Sequence, residues 1–325
     1  MLGGWGRTVG RSACTSLGPS GAMREALFVL NPVSPGHFGL LPRHCQSISL
    51  RHGWEPLLIA TRPGDRAAEV AREVQDYVRR PGQKLVFAVG GDGTVRLCAH
   101  ALAGTGAPLA VVPRGAANLF AAALGIPHHL DKALLTGFDG AQRAVDVAEA
   151  DGHVFVAMAG MGIDAAVVGS TPRWMKQHMG WLGYAAAALP HLLEAPHEMT
   201  VHIDGGLPIV RRAQAVVVGN VGILPGNFQL LSGAQVDDGT LEVGVLEPRG
   251  PLGWLHIARR ALLATGDGQF EQFTARSVSV HVPVPLPRQL DGDLIGPGTT
   301  LEVRVCPQAL VVRLPSGAAA APASE

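Results

Sequence analysis

A glycine-rich loop between an apolar strand and a helix is the feature that most constrains this chain. The uniformly apolar run Leu85–Val89 predicts a buried strand, and residues 90–94 (GGDGT) follow it directly, before a helical pattern that begins at Val95. Glycines let a backbone approach phosphate oxygens closely, and the first turn of a helix offers free N–H groups and a positive dipole end. The loop therefore predicts a phosphate-binding site at the carboxyl end of a strand.

Asp92 is the unusual member of this loop, because a bare carboxylate repels phosphate. Its presence makes sense if it orients a Mg²⁺ ion or the water bound to one. A tight Asp-Gly turn is the simpler alternative. The loop is not a Walker motif, since no Lys-Ser or Lys-Thr pair follows it.

The surrounding pattern predicts two domains. Short apolar runs at Ala26–Leu30, Leu57–Ala60 and Leu109–Val112 alternate with helical segments, which is typical of an α/β domain with a parallel, doubly wound sheet over residues 24–144. From residue 145 to 314, short strands separated by Gly, Pro and Asp-Gly turns predict a mainly β, sandwich-like domain. We expect residues 1–23 to be a disordered or misassigned extension, so that a chain starting at Met23 would fold and work, and residues 315–325 to be a disordered tail.

Composition excludes several classes of protein. Lys plus Arg equals Asp plus Glu, at 26 each, and this balance argues against a nucleic-acid-binding protein. The four cysteines form no CxxC pair, so a disulfide framework or zinc site is not expected and a reducing compartment fits. No stretch reaches the roughly 18 apolar residues that span a bilayer.

Further motifs occur in a fixed order along residues 24–314. They are the strand and loop ALFVLNP at 26–32, PRGAAN at 113–118, AGMGIDA at 159–165, VDDGTL at 236–241 and QLDGD at 289–293. Together with GGDGT, this ordered set resembles the diacylglycerol kinase catalytic-domain family of bacterial and eukaryotic lipid kinases, which includes the sphingosine kinases. NAD kinases share the GGDGT element, and the resemblance implies an NAD-kinase-like α/β domain followed by a β-rich domain that holds a lipid.

The resemblance also implies site residues. Those expected to contact ATP are Asn31, Pro32, Thr61, Gly90, Gly91, Asp92, Gly93, Thr94, Gly115, Ala116 and Asn118. A magnesium site is expected at the Asp238 side chain, with Gln235 and Thr240 contributing backbone carbonyls. Asp291 or Asp293 is expected to be the general base, with Asp92 also catalytic. Asp164 and Asp146 are expected on the substrate side, with Asp146 joining Asp92 in a water and metal network. Without this context, Asp237-Asp238-Gly239 and Asp291-Gly292-Asp293 read equally well as turns.

Four positions depart from the family pattern. Ala116 stands where the family has a threonine, Leu119 where an acid is frequent, Arg96-Leu97 where Asn-Glu is usual, and Ala122 where an arginine is usual. The first two changes remove polar groups near the expected phosphates. They leave open a pseudokinase that binds lipid without catalysis.

The sequence therefore predicts an ATP- and Mg²⁺-dependent lipid kinase, with diacylglycerol as the expected substrate and phosphatidic acid as the product. A sphingosine or ceramide kinase, an NAD kinase and the pseudokinase remain alternatives. The expected partner is a membrane lipid, met by a cytoplasmic protein at the inner face of the membrane; a homodimer is left open. The segment Arg173–Leu182, which contains Trp, Met and basic residues, is expected to dock on that surface, or else to pack as an ordinary helix.

Overall fold

The computed structural model describes residues 24–32, 40–61, 67–162, 195–224, 228–248, 253 and 270–316. The helices in these ranges are α1 Leu41–Arg51, α2 Ala67–Val78, α3 Asp92–Leu102, α4 Leu119–Ala123 and α5 Leu130–Asp139. The strands of the first half are β1 Arg24–Leu30, β2 Glu55–Ala60, β3 Gln83–Gly90, β4 Leu109–Pro113, β5 Ala141–Ala150, β6 His153–Phe155 and β7 Met158–Gly162. Those of the second half are β8 His197–Ile203, β9 Ile209–Ala213, β10 Ala215–Gly219, β11 Ile223–Leu224, β12 Phe228–Gln229, β13 Leu241–Leu246, β14 Phe270–Ala275, β15 Ser277–Leu286, β16 Arg288–Leu290, β17 Asp293–Leu294 and β18 Gly298–Leu314.

The N-terminal unit is built on a parallel sheet with the strand order β2-β1-β3-β4. Its central strands are buried almost end to end, which explains why they read as unbroken apolar runs. Phe28 and Phe87 stack in this core with ring centroids 4.5 Å apart, and Phe138 of α5 packs against both. The predicted α/β fold with a parallel sheet is confirmed.

The C-terminal unit is a sandwich of two mainly antiparallel sheets. One layer has the order β14-β13-β10-β7-β16-β17, and the other contains β5, β18, β15, β8 and β9. Met161 and Val218 of the first layer meet Val201, Val280 and Leu301 of the second in one buried apolar cluster. The predicted mainly β, sandwich-like domain is confirmed.

Strand β18 joins the two units. It pairs in parallel with β4 through Val312 and Leu109, and antiparallel with β5 and β15, so the sheet of the N-terminal unit continues into the sandwich. The boundary expected after residue 144 falls inside β5, which pairs with β18 along most of its length.

A buried ion pair lies at the amino ends of β1 and β3. Lys84 bonds Glu25, and both residues are more than nine-tenths buried, while the Lys84 ammonium also lies 4.9 Å from the centre of the Tyr77 ring. Replacing Lys84 with methionine should leave the Glu25 carboxylate buried without its partner. We expect this to lower the free energy of unfolding by about 3–5 kcal/mol in urea titrations.

The matched comparison is the exposed pair of Arg304 with Glu149, whose Nη2–Oε2 distance is 2.6 Å. Arg304→Gln should leave the urea midpoint nearly unchanged, because exposed pairs are screened by water. Equal effects of the two substitutions would contradict the buried-pair account. The double variant Lys84→Met with Glu25→Gln should recover part of the loss.

Some expectations lie outside the described residues: those for Asp164, the segment 173–182, residues 1–23 and the tail after residue 316. Within the described ranges, no helix has the length and apolar character needed to cross a membrane.

Candidate functional site

The carboxyl ends of the four parallel strands meet at one edge of the sheet. Asn31 follows β1 and its N–H bonds the Val89 carbonyl at 3.0 Å, while the N–H of Thr61, after β2, bonds the Leu30 carbonyl at 2.8 Å. The N–H of Arg114, after β4, bonds the Gly90 carbonyl at 2.8 Å. The residues expected around a nucleotide therefore come together at this edge, with Pro32 next to Asn31.

Two glycines form the closest approach between the loops after β3 and β4. A Cβ atom on Gly115 would lie 2.4 Å from the Gly91 Cα, and one on Gly91 would lie 3.0 Å from the Gly115 Cα. Side chains here would force the two backbones apart. The pair forms a cradle of half-buried backbone without side chains, which allows phosphate oxygens to approach closely.

Asn118 holds the second loop in shape. Its Oδ1 accepts the Gly115 N–H at 2.8 Å and its Nδ2 donates to the Gly115 carbonyl at 2.7 Å. The residue is buried and has a φ of 50°, a left-handed conformation that Asn tolerates better than most residues. Asn118, expected from the sequence as an ATP contact, is thus bound to its own loop through both ends of its amide.

Replacing Gly115 with alanine tests the cradle. The added methyl group would displace the Gly91 backbone, so we expect ATP binding to weaken about tenfold or more, and the free energy of unfolding to fall by about 1–3 kcal/mol. Calorimetric titration and urea unfolding measure the two effects. The neighbouring change Ala116→Thr, at an exposed position, should leave binding similar or stronger. Unchanged ATP affinity in Gly115→Ala would remove this loop from the nucleotide site.

Thr94 is buried beneath the loop. A Cβ on Gly90 would lie 2.3 Å from the Thr94 Oγ1, so the two residues fit each other closely. Gly93, in contrast, is exposed on the first turn of α3. Within GGDGT, Gly93 is therefore exposed, Gly91 lies against Gly115, and Gly90 and Thr94 pack against each other.

The surroundings of the Asp92 carboxyl disfavour its charged form. The pKa of its carboxyl is raised to about 7, first by burial and second by the nearby Asp291 charge, while hydrogen bonds from the backbone N–H groups of residues 118–120 act in the opposite direction. Its Oδ1 is buried and has no hydrogen-bond partner. A buried carboxylate oxygen in this position fits a cation or a cation-bound water.

Asp291 occupies a tight hairpin turn between β16 and β17. Asp291 and Gly292 have φ values of 49° and 80°, and Leu290 pairs with Asp293 across them, which defines a two-residue type I′ turn. The Asp291 carboxylate accepts the N–H groups of residues 156, 157 and 158 at 2.8–2.9 Å. Burial raises the pKa of this carboxyl, while those N–H donors and Arg96 lower it. Asp291 thus anchors the turn to the strand beside it.

Asp293, two residues later, contacts helix α3 of the N-terminal unit. Its side chain is 56% exposed, and its Oδ2 lies 2.6 Å from the Arg96 Nη2 on α3. The same oxygen would lie 3.1 Å from a Cβ on Gly93. Of the two acids expected as general base, Asp293 is therefore the one that is open to solvent and positioned over the glycine loop. The contact with Arg96 was not expected from the sequence. The signal that could have pointed to it is spacing, because Arg96 and Gly93 are three residues apart and lie on one face of the helix.

Comparisons with known proteins agree with this geometry. The family model of the diacylglycerol kinase catalytic domain matches residues 25–150, and that of the YegS C-terminal NAD kinase beta sandwich-like domain matches residues 157–314. A protein of Pseudomonas savastanoi pv. phaseolicola named "Probable lipid kinase YegS-like" is 33% identical over 279 residues, which cover 82% of this chain and 86% of that protein. The chain belongs to the YegS-like lipid kinase family.

Other relatives show the extent of the likeness. A protein of the same name from Pectobacterium atrosepticum is 28% identical over 309 residues, covering 89% of this chain and 95% of that protein. An uncharacterised Synechocystis protein is 29% identical over 262 residues, covering 77% of this chain and 60% of that protein. Among solved structures, a diacylglycerol kinase from Bacillus anthracis aligns with a TM-score of 0.72 at 21% identity, over 90% of this chain and 97% of that one, which shows a shared fold.

The expected magnesium loop of the lipid kinase family lies between β12 and β13. The Asp238 Oδ1 accepts the N–H and the hydroxyl of Thr240, at 2.9 and 2.8 Å. Asp146 is fully buried behind this loop, where its two oxygens accept the N–H groups of Gly239 and Gln308, each at 2.7 Å. Gln235 belongs to the same loop. In the described part of the chain, no three His, Cys, Asp or Glu side chains cluster as a metal site.

The two departures near the expected phosphate site lie in different settings. Ala116 is exposed, whereas Leu119 packs against the apolar core of the N-terminal unit. Leu119 also contributes its backbone N–H to the Asp92 carboxyl. An apolar residue at 119 is thus accommodated by packing, while the contact of its backbone with Asp92 is kept.

Proposed function

We propose that this chain is an ATP-dependent lipid kinase that transfers the γ-phosphate of ATP to a lipid hydroxyl, with diacylglycerol as the first candidate. The observation that carries this proposal is the position of Asp293. A carboxylate from the C-terminal unit lies directly over the phosphate-type loop of the N-terminal unit. If ATP and the lipid met there, the glycine loop would bind the phosphate of ATP and the Asp293 carboxylate would accept the proton of the lipid hydroxyl.

The N-terminal unit supplies the groups that would hold a nucleotide. Backbone of Gly91, Gly93 and Gly115 would face the phosphates, with Asn31 and Thr61 at the neighbouring strand ends. The unpartnered Oδ1 of Asp92 fits a Mg²⁺ ion or its water, and Asp238 with the loop 235–240 offers a second oxygen-rich place. Bound Mg²⁺ would neutralise phosphate charge.

Asp293 is the group we assign as general base. The lipid hydroxyl oxygen would form a bond to the γ-phosphorus while the bond from that phosphorus to the β-γ bridging oxygen breaks, and the hydroxyl proton would pass to Asp293. Asp291 is less suited to this role, because both of its oxygens bind backbone N–H groups. It would instead fix the turn that presents Asp293.

The lipid would be taken from a membrane surface, and the segment 173–182 is the proposed contact. Trp174→Glu with Met175→Glu should weaken binding to vesicles that contain anionic lipid and lower activity on vesicle-borne substrate. Activity on a short-chain soluble lipid and the melting temperature should stay nearly unchanged. A large fall in melting temperature would instead assign these side chains to the core.

Radiolabelled ATP with a panel of acceptors tests the proposed function. Diacylglycerol, sphingosine and ceramide in mixed micelles, and NAD in detergent-free buffer, would be incubated with the protein and the products separated by thin-layer chromatography. Label in phosphatidic acid is the expected result. Label in NAD alone would assign an NAD kinase, and ATP binding without any labelled product would assign the pseudokinase.

A further inference from the structure

The contact between Arg96 and Asp293 joins residues that are 197 positions apart in the chain. Arg96 is on α3 of the N-terminal unit, and Asp293 begins β17 of the C-terminal unit. Their 2.6 Å hydrogen bond uses the same Asp293 oxygen that lies against Gly93. One carboxylate oxygen is thus held between a guanidinium and the first turn of the glycine-loop helix.

The position between Arg96 and the first turn of α3 suits either a carboxylate or a phosphate group. Side chains on a helix lean toward its amino end, so Arg96 adds its guanidinium to the free N–H groups and the positive dipole end near Gly93. Arginine binds carboxylate and phosphate with the same planar set of donors. The Arg96 side chain is 22% exposed, so an incoming phosphate can reach it.

The two acids of the turn differ in what holds them. Asp291 is fixed by three backbone N–H groups, whereas the Asp293 side chain is more than half exposed and bonds Arg96. While the Asp293 Oδ2 accepts the N–H of Arg96, that side of the carboxylate is occupied and is not open to a hydroxyl donor. The guanidinium that could bind phosphate is therefore the one that restrains the base.

We propose that Arg96 is a positioning residue that couples nucleotide binding to release of the general base. The terminal phosphate of ATP competes with the Asp293 carboxylate for the Arg96 guanidinium. Once the phosphate takes the guanidinium, Asp293 is released beside the reacting phosphorus with its oxygen free to accept the hydroxyl proton. This inference rests on the proposed kinase function. It assigns a role in that function to Arg96, which stands where asparagine is usual in the family.

A double-mutant cycle on ATP affinity tests the competition without any need for lipid. The dissociation constant of MgATP would be measured by calorimetry for the wild type, Arg96→Gln, Asp293→Asn and the double variant. Arg96→Gln should weaken binding about tenfold, and Asp293→Asn should tighten it about threefold or more, because the competitor is gone. In the Arg96→Gln background, Asp293→Asn should have little effect. Arg304→Gln and Glu149→Gln, from an exposed pair on the sandwich, serve as matched controls and should not change affinity.

Three outcomes would overturn the proposal. If Asp293→Asn tightens ATP binding equally or more strongly in the Arg96→Gln background, Asp293 acts through its general field and not through Arg96. If Asp293→Asn leaves affinity unchanged in the wild-type background, the two anions do not compete. If both single variants lower the melting temperature by several degrees and leave ATP affinity unchanged, the ion pair only stabilises the contact between the two units.

Activity separates this inference from the proposed function. Arg96→Lys should keep part of the ATP affinity and show a lower kcat, because a lysine binds phosphate as a point charge without the planar arrangement. A wild type that binds ATP and phosphorylates lipid, but shows no coupling in the cycle, would overturn the inference alone. A wild type that does not bind ATP would overturn both.

Discussion

Asp92→Asn should abolish phosphoryl transfer while making the protein more stable at pH 8. The activity loss is expected because the change removes the charge of a buried carboxylate whose Oδ1 has no hydrogen-bond partner, in the glycine loop that would hold the nucleotide phosphates. A preorganised charge at such a place contributes several kcal/mol to transition-state stabilisation, so kcat/KM should fall by roughly 10³-fold or more.

The gain in stability follows from the sign of the pKa shift. The pKa of Asp92 rises from 3.8 to about 7 on folding, so the folded protein binds this proton more tightly than the unfolded chain does. The ionised carboxylate therefore destabilises the fold. This penalty is absent well below pH 3.8, grows as the pH rises between those two pKa values, and is complete above pH 7. Removing the charge should raise the free energy of unfolding by about 2–4 kcal/mol at pH 8 and by much less at pH 4.

Urea unfolding of the wild type and Asp92→Asn at both pH values, in EDTA, measures this effect. Asp76→Asn, at an exposed position on α2, is the control and should show no such pH dependence. Near-normal turnover in Asp92→Asn would refute the catalytic assignment. Lower stability at pH 8 would show that the carboxylate has a stabilising partner.

Asp293→Asn should lower kcat by about 10²-fold or more and raise ATP affinity. The amide keeps the size of the side chain but cannot accept the hydroxyl proton, so the rate should fall. Radiolabel transfer to lipid measures kcat, and calorimetric titration measures ATP affinity. Unchanged kcat would move the base to another residue.

Asp291→Asn is the matched comparison, because it changes the acid two residues away. An asparagine cannot accept all three N–H groups of residues 156–158 as well as a carboxylate does. We therefore expect it to lower stability together with activity, whereas Asp293, with its exposed side chain, should affect activity alone. A large loss of kcat in Asp291→Asn with full stability would reverse the two roles.

The parallel sheet could be predicted from sequence because its strands are buried on both faces. Burial on both sides makes β1, β3 and β4 unbroken apolar runs, which need no knowledge of their neighbours. Helix α1 was not predicted, although Leu41, Cys45 and Ile48 are buried at helical spacing. His44, Gln46 and Ser47 lie between them, and Pro42 near its start obscured the pattern.

Strand β5 was missed for a different reason. Its sequence includes Asp146, an acid in a stretch that is buried, and acids in apolar runs argue against a buried strand. The carboxyl group is accommodated because Gly239, from the loop before β13, and Gln308, at an irregularity within β18, donate their N–H groups to it. Asp293 could be predicted from its motif as a candidate general base. Its contact with Arg96 could not be predicted, because it depends on how the two units pack against each other, and hydrophobic periodicity contains no information about that packing.

The pairing of β18 with both units has a consequence for how the protein is made. A chain leaving the ribosome completes β4 and β5 about 150 residues or more before the strand that pairs with both of them exists. Until then the edges of β4 and β5 offer unpaired backbone groups to any other strand, which favours aggregation. The N-terminal unit would therefore be a poor choice for expression alone, because its missing neighbour is the last strand of the described chain.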